Sequence, residues 1–176
     1  MGLIQKPTKV KLFVAVMFQR TFDLEAVLFS LTSKYGKIDR SYGPVNFSWS
    51  DYYEKEMGGD LQKYYAVFCD PVDRSLLPSI KKYTNELESR YSENGRRRVN
   101  IDPGYIARDK LALASTKDFY HRLYLGEGIY GEVTLHYRKG CFRHFSWTYP
   151  DYKEWEFLKF LEMARADLVY NIRRGE

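Results

Sequence analysis

Residues 115–149 read STKDFYHRLYLGEGIYGEVTLHYRKGCFRHFSWTY, and the rest of the chain is organised around them. The stretch holds all 3 histidines of the protein. Successive side chains of a strand point to opposite faces. With strands at 119–125 and 129–137, one face collects Phe119, His121, Leu123, Leu125, Ile129, Val133 and Leu135. The other collects Tyr120, Arg122, Glu132, Thr134 and His136, with Asp118 just before them. For both apolar sets to share a face, the connection must hold an odd number of residues. Gly126-Glu127-Gly128 satisfies that, with glycine free to take left-handed backbone. This register predicts Tyr124 opposite Tyr130, Arg122 opposite Glu132 and Asp118 opposite His136, so that opposite charges face each other. A second three-residue turn, Arg138-Lys139-Gly140, then sets Phe145 opposite Val133, and Trp147 covers Gly131. The expected element is an antiparallel meander of three strands with one apolar and one polar face.

Upstream, residues 9–18 (KVKLFVAVMF) are apolar on both sides after Lys11, the pattern of a central strand covered on both faces. Asp23 is placed to cap a helix running to Tyr35, with Leu24, Val27, Leu28 and Leu31 as its buried stripe and Gly36 as its stop. Residues 37–50 read as extended, interrupted at Gly43-Pro44, and 51–59 as a loop or short helix. Residues 63–70 (KYYAVFCD) form a further strand. Residues 76–91 form a helix with Pro78 in its first turn and Ile80, Tyr83, Leu87 and Tyr91 on one side. A strand is predicted at 96–101, a turn at Asp102-Pro103-Gly104, a short helix at 105–115, and a terminal helix at 152–174 buried through Trp155, Leu158, Phe160, Leu161, Met163 and Leu168. The expected fold class is α+β. Residues 9–102 give a ferredoxin-like βαββαβ half, which the meander extends and the C-terminal helix covers (residues 103–176). Together they make one domain over 1–176.

Composition fits a folded globule. The chain has 176 residues, 44% hydrophobic and 17% aromatic, with 16 tyrosines, enough to bury a core without covalent staples. The formal net charge of +5 is modest and its charges are interspersed. That admits an anionic partner without requiring nucleic acid. Cys69 and Cys141 make no disulfide framework, and Cys69, in an apolar run, reads as a buried thiol. The sequence lacks a signal peptide and any run near the ~20 apolar residues of a membrane span, so the expected location is cytoplasmic.

Several chemistries are excluded by their signatures. There is no GxxxxGK[ST] phosphate loop, no GxSxG elbow, and His144-Phe145-Ser146 is the only His-x-Ser/Thr motif where a two-histidine phosphoesterase needs two. Without HExxH or a tight ligand cluster no metal is assigned, and no cofactor is identified. What remains is a polar site. If Val99 and Ile101 point inward, Arg98, Asn100 and Asp102 share the other side, and arginine forks suit phosphate or carboxylate. Lys117, Asp118, Arg122 and Thr134 complete the expected ligand-binding set on the meander, with Arg98, Lys117 and Arg122 holding an anionic group such as a nucleotide phosphate. Glu132 and His136 are the acid–base candidates should the site carry chemistry. The alternative is an RNA- or protein-interaction module without catalysis. It would use basic and aromatic residues interleaved at Arg138, Lys139, Phe142, Arg143, Phe145 and Trp147.

Five pieces of the chain resemble the prokaryotic domain-of-unknown-function family 4416. They are residues 84–88 (TNELE), 95–105 (GRRRVNIDPGY), 113–118 (LASTKD), 121–130 (HRLYLGEGIY) and 147–152 (WTYPDY), and the resemblance extends over essentially the whole chain. It implies no established activity. Some members carry a GTP-binding label, and this chain has no phosphate loop to match it.

Overall fold

The computed structural model describes residues 2–49 and 53–174. Its elements are β1 (Val10–Gln19), α1 (Leu24–Tyr35), β2 (Ile38–Asn46), α2 (Glu54–Met57), β3 (Leu61–Val72), α3 (Leu77–Arg90), β4 (Val99–Ile106), β5 (Lys110–Ser115), β6 (Leu123–Gly126), β7 (Ile129–Arg138), β8 (Cys141–His144) and α4 (Trp155–Arg174). The fold is α+β. The strands form one 8-stranded sheet in the order β2-β3-β1-β4-β5-β7-β6, with β8 also on β7. Each of these neighbours runs antiparallel to the next. Ser50, Asp51 and Tyr52, where the predicted extended segment meets the predicted loop or short helix, lie outside the described residues, as does Met1 of the lead-in. No helix among the described residues is long and apolar enough to cross a membrane.

β1 is buried along nearly its whole length because both of its faces are covered. Leu12, Val14, Val16 and Phe18 pack with Val27 and Leu31 of α1 and Ile80 and Leu87 of α3. Phe13 and Ala15 face the other way and pack with Tyr65, Leu111 and Leu135 and with Phe157, Phe160 and Leu161 of α4. The sheet is thus sandwiched between α1 and α3 on one side and α4 on the other. Asp23 caps α1 by accepting the Ala26 N–H at 3.4 Å, and Gly36, at φ 87°, ends it. Pro78 sits in the first turn of α3, where its missing N–H costs nothing. The interruption at Gly43-Pro44 appears as a register shift between Tyr42 and Val45 on β2. α4 begins later than predicted, after a 3-10 turn at Pro150–Lys153, and leaves Trp155 and Met163 exposed. Cys69 is half-buried rather than buried.

The predicted turn at Asp102-Pro103-Gly104 does not form, and neither does the predicted helix over 105–115. β4 runs straight through the first, and a β4–β5 hairpin replaces the second. The reason lies in how these strands pair. β5 meets β4 only at Gly104↔Leu113, Tyr105↔Ala112 and Ile106↔Leu111. Toward the start of β4 the two strands part, while β5 stays on β7 as far as Ser115↔Tyr130. Proline lacks the N–H that a central strand needs, but the outer edge of β4 is open here. Ile101 turns its N–H and C=O toward that open edge, and Pro103, two residues on, faces the same way. Its missing donor therefore breaks no ladder bond. At the point of parting, Gly104 is compulsory for space: a Cβ there would lie 2.2 Å from the Ala112 carbonyl oxygen.

The meander forms with corrected turns. Tyr124 pairs with Tyr130 as expected, but Gly126 pairs with Ile129 after a bulge. The loop is therefore the two residues Glu127 and Gly128, both at positive φ, as a type I′ turn demands. Lys139 and Gly140 form a second such turn, also with both φ positive. Arg138 then pairs with Cys141 and Leu135 with His144, one residue away from the predicted register. Leu125, not Trp147, covers Gly131. β6 starts only at Leu123, so Asp118 and His136 never face each other.

Candidate functional site

The parting of β4 and β5 leaves a wedge in the sheet, and side chains of α3 fill its backbone needs. Lys81 Nζ donates to the Ile101 carbonyl at 2.9 Å, and the Ile101 N–H donates to Glu88 Oε1 at 2.7 Å. Beside this wedge lies a cavity of about 550 Å³, within the range of small-molecule sites, roughly 300–1,000 Å³.

A chain of alternating charges runs along the cavity wall. Glu56 of α2 holds Arg97 through two bonds of 2.7 Å. Arg97 reaches Glu88 at 3.2 Å and Asn100 Oδ1 at 3.0 Å. Lys81 lies 3.9 Å from Glu88 and 3.2 Å from Asp102. Asn100 donates to the other oxygen of Asp102 at 2.7 Å. A second pair, Lys63 and Asp151 at 2.5 Å, also takes the Tyr65 hydroxyl at 2.9 Å. Each of these charges stands next to one of opposite sign, the condition under which buried charges persist.

The environment sets the protonation of two acids. Burial pushes the Glu88 carboxyl above its ordinary value, and Lys81 offsets this only in part. Burial also pushes Asp102 up, but Lys81 and Lys63, with the bonds from Lys81 and Asn100, more than reverse it and hold Asp102 below the usual carboxylate range. The Asp102 side chain is 30% accessible, and it opens onto the cavity. Tyr152 is raised well above the usual phenol value by burial and by the adjacent Asp151 charge.

Glu132 enters the cavity from β7. Its Oε2 accepts from Arg122 Nε at 2.8 Å and lies 3.2 Å from His121 Nε2, and its Oε1 accepts from the Thr134 hydroxyl at 3.2 Å. His121 is stacked on Trp147, with ring centroids 5.2 Å apart and planes 13° from parallel. Its Nδ1 is buried and has no hydrogen-bond partner among the described residues.

Of the residues expected from sequence, Asn100, Asp102, Lys117, Arg122 and Glu132 line the cavity together. Arg98, Asp118, Thr134 and His136 do not. Arg98 pairs with Glu93 at 2.6 Å on the far side of the loop. Alternation sets it on the side of Asn100 and Asp102, but β4 begins only at Val99 and a tight Glu93–Arg96 bridge precedes it. Arg97 takes the place on the cavity wall instead. Asp118 is exposed. Thr134 is buried behind Glu132 rather than on the cavity wall. His136 is turned away by a bulge. Glu132 pairs with Leu113 and Leu135 with Leu111. Leu111 and Leu113 share a face, so Glu132 and Leu135 share it too, and His136 points to the other side, where its ring packs on Phe145. His121, expected on the apolar face, is the histidine beside Glu132. Lys63, Lys81, Glu88 and Asp151 escaped sequence reasoning. For α3 a signal existed: Lys81, Asn85 and Glu88 recur at i, i+4 and i+7, a polar stripe beside the apolar one.

The model of the family described as a domain of unknown function, DUF4416, matches residues 8–168. The chain belongs to this family. That span takes in every strand of the sheet and all the residues of the cavity wall named above. No curated protein and no solved structure matches the chain.

Proposed function

We propose that this family member binds a small polar ligand bearing an anionic group, a phosphate or nucleotide-like compound, in the cavity where β4 and β5 part. One observation carries the reading. Lys63, Lys81, Arg97, Lys117 and Arg122 come from separate parts of the chain and line the same cavity. They stand beside the carboxylates Glu88, Asp102, Glu132 and Asp151. Buried charge is expensive to maintain, and a purely structural sheet can be closed with apolar side chains instead. Carboxylates shifted by burial and by specific charge partners in a cleft are candidates for a functional site. Glu132 is the group placed for proton transfer if the ligand reacts, with His121 rather than His136 as its neighbour. As part of this proposal, β1-α1-β2-β3-α3-β4 is a ferredoxin-like half, which the strand order β2-β3-β1-β4 and the shared face of α1 and α3 support.

The alternative RNA-interaction surface draws less support. Trp147 is stacked on Phe145 at 4.5 Å and 4° as well as on His121, so the ring faces that bases need are already used. The test is calorimetric titration of the wild type and Thr116→Trp with ribose 5-phosphate. Thr116 is exposed and lines the cavity, so tryptophan there obstructs it without breaking an ion pair. Binding by the wild type and its loss in the variant are expected. Equal binding by both proteins places the ligand elsewhere and ends the proposal.

A further inference from the structure

The cavity is graded from mouth to floor. Trp49, Phe119 and Tyr149 line it and are 48%, 55% and 50% exposed. They follow β2, follow β5 and precede the turn before α4, so three separate segments each deliver an aromatic ring to one opening. Single exposed aromatics need no explanation, but three lining one cavity offer a planar group ring faces on which to stack. Among the described residues, the rings of Trp49 and Tyr149 pack on no other aromatic ring, in contrast to Trp147. The inner wall is different in kind: Lys63, Lys81, Glu88, Glu132, Asp151 and Tyr152 are all buried. The accessible Asp102 carboxylate accepts from Lys81 and Asn100 and keeps acceptor capacity for hydroxyl or amine hydrogens on whatever binds.

We infer that the ligand carries a planar aromatic ring seated at the mouth against Trp49 and Tyr149, hydroxyl or amine donors within reach of Asp102, and an anionic group among the basic side chains, the chemistry of a nucleoside monophosphate. The inference rests on the cavity being a ligand site and names what that ligand is. A bare phosphate leaves the mouth and Asp102 unused. An aromatic acid without hydroxyls sets no donor against Asp102. A sugar phosphate leaves the rings unused. Stacking of a base on an aromatic side chain is worth about 1–3 kcal/mol, roughly five- to 150-fold in affinity.

The experiment is calorimetric titration of the wild-type chain with the four common nucleoside monophosphates, ribose 5-phosphate and inorganic phosphate, repeated on Trp49→Ala and Tyr149→Ala. At least one nucleoside monophosphate is expected to bind tenfold or more tightly than ribose 5-phosphate. Each alanine variant is expected to remove most of that difference and leave the affinity for ribose 5-phosphate unchanged. Both positions are exposed, so unchanged far-ultraviolet dichroism and melting temperature are expected as well. If every nucleoside monophosphate binds no better than ribose 5-phosphate, or the variants weaken both ligands alike, the aromatic mouth is not a ring site although the cavity still binds phosphates. If none of the six compounds binds the wild type, the cavity reading falls and this inference falls with it.

Discussion

Glu88 of α3 accepts the backbone N–H of Ile101 on β4 at 2.7 Å. That N–H would normally be met by the next strand, and β5 has already turned away. Together with Lys81, which donates to the Ile101 carbonyl, Glu88 lets the sheet open without leaving orphaned backbone groups, each of which costs about 1–3 kcal/mol when buried. The opening that admits a ligand and the side chains that stabilise it are therefore the same construction.

Replacing Glu88 by alanine strands the Ile101 N–H and leaves Lys81 and Arg97 each short of a partner. The expected loss is about 3–5 kcal/mol, the scale for removing one member of a buried charge pair. Glu88→Gln keeps an acceptor oxygen for Ile101 and should lose distinctly less. Urea unfolding midpoints of the two variants measure the difference, and equal losses would show that the backbone bond contributes little.

Gly104 marks where β4 and β5 part. A methyl group there meets the Ala112 carbonyl oxygen at 2.2 Å, backbone against backbone, so neither side can yield cheaply. Gly104→Ala should destabilise by about 1–3 kcal/mol, the usual range for overpacking. Gly59→Ala, where a Cβ meets nothing within 4 Å, is the control and should melt near the wild type.

Much of this architecture was legible in the sequence, and the failures have three separate causes. β1, α1 and α3 were readable because uniform burial, a capping Asp23 and a stopping Gly36 are local signals. Asn100 and Asp102 share the cavity wall as alternation predicts, because β4 continues through Asp102 where a turn is expected. Arg98 and His136 do not reach it, because alternation fails where the backbone breaks phase: the start of β4 at Val99, and the bulge between Glu132 and Leu135. Lys63 and Asp151 pair across 88 positions of sequence, and nothing local joins them. The apolar Ile106, Leu111 and Leu113 that predict a helix over 105–115 serve equally well in a strand buried on both faces.

Lys63 and Asp151 are buried, and their contact is short. Asp151→Ala leaves the ammonium facing Tyr152 and Tyr65 without an anion, and a loss of about 3–5 kcal/mol is expected. Lys63→Met should be similarly harmful, since it leaves Asp151 with only the Tyr65 hydroxyl. The double variant Lys63→Met with Asp151→Ala should be less harmful than the sum, with a coupling of about 1–3 kcal/mol. Denaturant unfolding of the four proteins closes the cycle, and strict additivity would show that the pair is not coupled.

The two perturbed acids on the cavity wall should give stability opposite dependences on pH. Asp102 is held below its ordinary 3.8 in the folded chain. Its folded form releases its proton more readily than the unfolded form, so its contribution is present above pH 3.8 and is lost as pH falls through the lower folded value. Glu88 is raised above its ordinary 4.5 by burial. Its folded form holds a proton more tightly, so its contribution is full below pH 4.5 and declines as pH rises through the folded value. Unfolding free energies of the wild type, Asp102→Asn and Glu88→Gln across pH 2–8 separate the two. Relative to Asp102→Asn, the wild type should gain stability as pH rises from about 2 to 4. Relative to Glu88→Gln, it should lose stability as pH rises above about 4.5. A wild type that runs parallel to Glu88→Gln over that upper range would mean that Lys81 and Arg97 fully compensate the burial of Glu88, leaving no raised carboxyl on the cavity wall.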